Sequence, residues 1–180
     1  MMKNNLLYFG VLIVLITLVF IFKPTEKNKF FEEYGLDISD QVELINRLEN
    51  DDFNQEISAS ITNEQIFIYH NKKEYEIILK DDLFYVSLAP YINNTHGCYT
   101  HSLIGCLGEL INKDLLVKIY DEEDNLLEEK EVNTGSDGFF GLFLEKGVTY
   151  KIIITYAGLS TSYDIDAFTD QTCFTGGQLS

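Results

Sequence analysis

Leu6 to Phe22 is an apolar run of 17 residues with no charge, no proline and no strongly polar side chain except Thr17, with Lys3 before it and Lys23-Pro24 after it. As a helix rising about 1.5 Å per residue it covers roughly 25 Å, at the short end of the ~30 Å hydrocarbon core, and the lysines can reach past both ends. The run predicts a membrane helix. The residues that close it, Ile21, Phe22, Lys23 and Pro24, lack the small-residue pattern of a signal-peptide cleavage site, and the first cysteine is Cys98, too late for lipid attachment. The reading is therefore an uncleaved anchor followed by a polar tether to residue 29.

Beyond the tether the period becomes helical. Phe30, Phe31 and Tyr34 are spaced as on one helix face. Asp40 with Glu43 three residues later forms a capping box that opens a second helix, with Val42, Ile45 and Leu48 as its apolar side and Asn50-Asp51-Asp52 as its stop. From residue 57 the period shortens to two. Ile66, Ile68 and His70 alternate with Phe67 and Tyr69, a turn follows at Asn71-Lys72-Lys73, then Tyr75, Ile77 and Leu79 alternate with charged neighbours, and Phe84, Val86 and Leu88 make a further strand.

After Leu115 the pattern is all strand: Leu115–Tyr120, Leu126–Val132, Phe139–Leu144, Tyr150–Tyr156 and Ser160–Ile165, separated by turn signals at Asp121–Asn125, Asp137-Gly138 and Lys146-Gly147. Short strands at this spacing predict an antiparallel sandwich. The order of strand, acidic turn, Asp-Gly-Phe step and Gly-x-x-Tyr step looks like transthyretin-like and carboxypeptidase-regulatory-like modules. The expected fold class is α+β. Its parts are a membrane anchor and tether at 1–29, a small helix-plus-sheet domain at 30–92, a linking segment at 93–112, and a carboxyl-terminal β-sandwich-like domain at 113–180.

Charge narrows the partners. The 180 residues carry 13 Lys plus Arg against 29 Asp plus Glu, a net charge of −16. Residues 1–29 have an excess of +3, so the remainder carries −19. A surface this acidic repels a phosphate backbone and excludes general nucleic-acid binding. His70 lies in a strand pattern and reads as structural. The acidic stretches at 121–124 and 128–129 read as solvated turns, because the glycine and glutamate spacing of a calcium loop is missing.

The chemistry concentrates in the linking segment. Cys98 and Cys106 stand with His96 and His101 in the spacing His-x-Cys-x2-His-x4-Cys, and the third cysteine, Cys173, follows the last predicted strand. A tail that folds back would bring it to the other two. Thiolate and imidazole suit soft or borderline ions, for which carboxylates compete poorly. Three thiolates suffice for trigonal Cu(I), and a fourth, imidazole donor would complete a zinc tetrahedron. The spacing is not a zinc-finger pattern, and a disulfide between two of the cysteines, with the third a small buried hydrophobe, explains the same residues. A Cys106–Cys173 bridge, for example, would contribute roughly 4 kcal/mol by chain entropy. The readings also combine, since a dithiol that reduces Cu(II) becomes a disulfide and then needs a reductase. Gly97, Gly105 and Gly108 allow close backbone approach. No Cys-x-x-Cys pair is present, and no oxyanion signature accompanies the Cys-His proximity, so an enzyme is not expected.

The stretch His96-Gly97-Cys98 through His101-Ser102-Leu103 to Cys106-x-Gly108-Glu109-Leu110, preceded by Phe84 to Ile92, resembles the CueP family of bacterial cell-envelope copper-binding proteins. The Gly138-Phe139, Ile154-Thr155-Tyr156-x-Gly158 and Thr172-Cys173-x-Thr175 steps do so too, and the likeness runs from about residue 33 to the carboxyl end. It implies an extracytoplasmic protein that binds copper, as Cu(I) ahead of Cu(II), through Cys98, Cys106 and Cys173, with His96 and His101 as further candidate ligands and zinc as the other ion. It also implies a role in copper tolerance and metal delivery, with a copper-acceptor protein and a thiol-disulfide reductase as partners. The apparent anchor departs from the family's cleavable or lipidated signal and places this chain at the cell membrane, soluble part outward. The alternative is a disulfide-stapled cell-surface interaction module without metal.

Overall fold

The computed structural model describes residues 25–50, 53, 56–169 and 171–180. The predicted membrane helix at Leu6–Phe22 lies outside the described residues, among which no helix is long and apolar enough to cross a membrane. Two units are distinguished, Met1–Ile38 and Ser39–Ser180. In the first, helix α1 (Glu26–Glu33) starts at Thr25, whose hydroxyl accepts from the Asn28 N–H. It ends in a Schellman motif: Gly35 takes φ +62°, its N–H donates to Glu32, and the Leu36 N–H donates to Phe31. The Phe30 and Tyr34 rings, one turn apart, lie 5.0 Å centroid to centroid.

The second unit opens with α2 (Gln41–Asn50), where the Asp40 carboxylate accepts from the Glu43 N–H at 3.1 Å, as the capping box predicts. The buried side is Gln41, Leu44, Ile45 and Leu48, the i, i+3, i+4, i+7 set, and Val42 faces outward at 41% exposure. The sequence reading that put Val42 on the apolar face is corrected by a fraction of a turn.

Eleven strands follow among the described residues: β1 (Ile57–Ile61), β2 (Gln65–His70), β3 (Lys73–Ile78), β4 (Leu83–Leu88), β5 (His101–Ser102), β6 (Asp114–Tyr120), β7 (Leu126–Asn133), β8 (Phe140–Glu145), β9 (Thr149–Tyr156), β10 (Leu159–Asp166) and β11 (Cys173–Phe174). They form three sheets, ordered β3-β2-β1-β5, β10-β9-β6-β7 and β11-β4-β8. The β2–β3 hairpin turns on Asn71 and Lys72 alone, both at positive φ, and Lys73 already pairs with His70. The class is α+β, mostly sheet.

Gln41, at the start of α2, donates to the Ile78 carbonyl and accepts from the Lys80 N–H beside edge strand β3. Glu49, at the other end, reaches His101 in the opposite edge strand β5. Eight residues of helix span about 12 Å and three interstrand spacings about 14 Å, so the helix crosses the sheet and is pinned at both edges.

The larger core lies between the second and third sheets. Phe84, Val86 and Leu88 from β4 pack there with Val117, Leu142, Ile152 and Ile165, among others. The strand β4, read from the sequence with residues 30–92, is thus hydrogen-bonded to β8 and β11 of the carboxyl-terminal part. It is buried on both faces: Tyr85 and Ser87 point away from the sandwich core and are also fully buried. The site lies on that other side.

Candidate metal centre

Three backbone segments converge at the seam between the β1–β5 pair and the β4–β11 pair. His101 pairs with Ile61 at the end of β1. Cys173 runs parallel to β4 opposite Ser87, held by Ser87 N–H to Thr172 O at 2.9 Å and Ala89 N–H to Phe174 O at 2.9 Å. The third segment, 96–110, wraps both. The Thr172 and Cys173 N–H groups both donate to the Tyr99 carbonyl, at 3.0 and 3.1 Å.

A fully buried hydroxyl fastens the seam. Thr172 Oγ1 accepts from the His101 N–H at 3.0 Å and donates to the Ile61 carbonyl at 2.7 Å, joining tail, loop and β1 in two bonds. Further along, Thr95 donates to the Thr175 carbonyl and Thr175 to the His96 carbonyl, at 2.6 and 2.5 Å. The Glu109 carboxylate accepts from the Asn93 and Ile92 N–H groups, which holds it below the usual carboxylate range.

Gly108 shows why a glycine sits in this loop. A Cβ there would lie 2.5 Å from the Gly138 carbonyl oxygen and 3.1 Å from the Ala89 Cβ, so two backbones touch where Cys106 is brought in. Gly97 and Gly105 have open space around the same position, so close approach does not explain them.

The sulfurs meet. Cys98 and Cys173 form a disulfide across 75 residues with Cα atoms 5.5 Å apart, and Cys106 is a free, half-buried thiol. One ligand atom from each of Cys98, His101, Cys106 and Cys173 lies within 4.8 Å of the others. Ala89 and Phe139 line the apolar side of the group. Tail and loop therefore converge as the fold-back of Cys173 requires, and the pair that bonds is Cys98 with Cys173. His96 stays outside this group: its Nε2 is 3.0 Å from the Leu107 carbonyl oxygen, and the residue is exposed.

His101 is fully buried, with Nε2 2.9 Å from Glu49 Oε1. Its Nδ1 is buried and has no hydrogen-bond partner, so it is the ring nitrogen left for an ion. Burial pushes the imidazole down, but the Cys106 thiol and the Glu49 carboxylate more than offset it, raising His101 to about 9. Burial likewise pushes the Cys106 thiol up, and the His101 ring overrides it, so that Cys106 titrates below its ordinary value. The two groups thus favour each other's charged forms, and a soft cation that binds there displaces their protons. Asp137 nearby is pushed up, by burial first and by the Glu49 charge. The Tyr85 hydroxyl, buried without a partner and close to the same carboxylate, is pushed up for the same two reasons.

An open groove of about 710 Å³ runs past Cys98 between Thr95–Gly97 and Phe174–Gly177, so a small reductant or an ion can reach the disulfide while His101 stays sealed behind it.

The sequence reading did not single out Glu49 or Thr172. Glu49 stands four residues after Ile45 on the buried side of α2, where the helical period calls for an apolar residue, and that was the available signal. Thr172 offered none, because its role depends on contacts 71 and 111 residues away.

A family model described as periplasmic copper-binding protein CueP matches residues 40–178. Among solved structures, the chain is similar to the crystal structure of S.CueP with a TM-score of 0.81 at 30% sequence identity, over 87% of this chain and 100% of that one. No curated protein matches it.

Proposed function

Because the chain belongs to the CueP family of periplasmic copper-binding proteins, we propose that it is a membrane-anchored, extracytoplasmic copper binder that holds Cu(I) through Cys98, Cys106 and Cys173 and so contributes to copper tolerance. The observation that carries this reading is the approach of four donor atoms to within 4.8 Å of one another, three of them sulfur, from segments far apart in the chain. Opening the Cys98–Cys173 disulfide adds two sulfur ligands to the one that the free Cys106 provides. A trigonal sulfur set suits a soft monovalent ion, with the His101 imidazole in reach as a further donor and no carboxylate in the group among the described residues.

The disulfide supports a redox cycle. If two Cu(II) ions meet the reduced pair, Cys98 and Cys173 give up two electrons and two protons, the sulfur–sulfur bond forms, and two Cu(I) ions result. A thiol-disulfide reductase must then open the bond through the groove beside Cys98, and a copper acceptor must take the ion on. The run Leu6–Phe22, with Lys3 and Lys23 at its ends, supports the anchor.

Full-length protein in mild detergent, reduced, loaded with Cu(I) and desalted, is expected to keep about one copper per chain, and the Cys98→Ser, Cys106→Ser and Cys173→Ser variants much less. Reduced protein that emerges without copper overturns the reading. The disulfide itself favours a second one, a cell-surface interaction module in which Cys98–Cys173 is only a staple. On that reading Cys106→Ser changes nothing and copper tolerance is untouched.

A further inference from the structure

The copper reading uses the sulfurs and leaves open what aims the one nitrogen donor among them. His101 sits on a two-residue strand at a sheet edge, and its backbone is fastened by Thr172. Those contacts fix the Cα and leave the ring free to turn about two side-chain bonds. The ring is fixed instead from α2, where Glu49, nearly buried at 11% side-chain exposure, puts Oε1 2.9 Å from Nε2.

Glu49 is itself held in place. It stands four residues beyond the buried Ile45, on a helix whose other end is tied through Gln41 to the far edge of the same sheet. The helix is thereby a strut across the sheet, and its last turn delivers a carboxylate to the metal-side histidine. Phe139, with its ring centroid 5.1 Å from that of His101, closes one side of the imidazole.

We propose that Glu49 is the positioning residue of this metal site: by taking Nε2–H it fixes the tautomer and orientation of His101 and leaves Nδ1 as the nitrogen that meets the ion. The proposal rests on the copper reading above and deepens it. Two observations carry it together: a carboxylate on one ring nitrogen, and the other ring nitrogen buried without a hydrogen-bond partner in a histidine that lies among three sulfurs. A carboxylate behind a ligating imidazole holds the ring on target and raises its donor strength, and losing such a partner costs about 10- to 100-fold in metal affinity.

The test uses reduced full-length protein in detergent, with Cu(I) affinity read by competition against a colorimetric Cu(I) chelator and the histidine read by long-range 1H–15N spectra. In the wild type, copper loading is expected to shift the His101 Nδ1 resonance while Nε2 keeps its proton. Glu49→Ala should still bind one copper through the thiolates but about 10- to 100-fold more weakly, with the Nδ1 shift lost. Glu49→Gln keeps an acceptor oxygen and should recover most of the affinity and the Nδ1 shift. Adding Glu49→Ala to His101→Ala should cause no further loss, since Glu49 acts through the ring.

Wild-type affinity with an unchanged Nδ1 shift in Glu49→Ala overturns the proposal and leaves the copper reading standing. So does a folded Glu49→Gln as weak as Glu49→Ala, or a double variant weaker than His101→Ala alone. A wild-type protein that binds no copper removes both.

Discussion

Opening the Cys98–Cys173 bond exchanges one crosslink for the possibility of another, and the two have comparable magnitudes. The bond closes a loop of 75 residues, for which the chain-entropy relation gives about 4.5 kcal/mol of stabilisation through the unfolded state. Reduction should remove about that much. With an m-value of about 2 kcal/mol/M, the urea midpoint should fall by about 2 M. Free Cu(I) at a thousandfold excess over its dissociation constant returns about 4.1 kcal/mol if it binds only the folded form. The reduced, copper-loaded protein should therefore unfold close to the oxidised, copper-free protein, with the reduced, copper-free protein well below both. Urea melts followed by far-ultraviolet circular dichroism in these three states decide the matter. The Cys173→Ser chain, which keeps Cys98 and Cys106 eight residues apart, is the control, because an ion held by those two alone also binds the unfolded chain and stabilises less. If copper fails to raise the midpoint of the reduced wild type, the three sulfurs do not share an ion in the folded state. If reduction itself leaves the midpoint unchanged, the disulfide does not constrain the unfolded chain as the entropy argument requires.

Gly108→Ala should cost about 1–3 kcal/mol in urea melts, because the added methyl meets the Gly138 backbone, whereas Gly97→Ala, with nothing within 4 Å, should melt within about 0.5 kcal/mol of wild type. Thr172→Val should cost about 1–3 kcal/mol by leaving the His101 N–H and the Ile61 carbonyl without their shared partner, read by the same melts. Glu109 is held below the ordinary carboxylate range by backbone N–H donors, so its contribution is present above the unfolded-state value near 4.5 and is lost as pH falls through the lower folded-state value. Amide protection at Ile92 and Asn93, relative to the intrinsic exchange rate at each pH, should fall over that acid range in the wild type and should not change over it in Glu109→Gln.

The elements were legible where a local period wrote them. The capping box placed α2, and the strands from Leu115 onward lie within a residue or two of their expected limits, because alternating burial leaves period two in β6, β8 and β9 and turn residues bound the exposed β7. The short strands β5 and β11 were not legible as strands, since two residues hold no period, and both exist only through partners 40 and 86 positions away, Ile61 to His101 and Ser87 to Cys173. At the site, sulfur made Cys98, Cys106 and Cys173 conspicuous, and the grouping of His101 with them followed from its place between two cysteines. His96 has the same local credentials, yet its ring turns to the Leu107 carbonyl. Spacing along a loop cannot separate two histidines that differ in which side of the backbone they leave. Glu49 and Thr172 belong to the site through tertiary contact alone.

The parallel pairing of Cys173 with β4 has a consequence for the order of events in the cell. A chain that emerges amino end first exposes Cys98 and Cys106 long before Cys173, which meets them through its pairing with β4. The third sulfur is thus the last to arrive, and an incomplete or arrested polypeptide can offer an ion two thiols but not the full set.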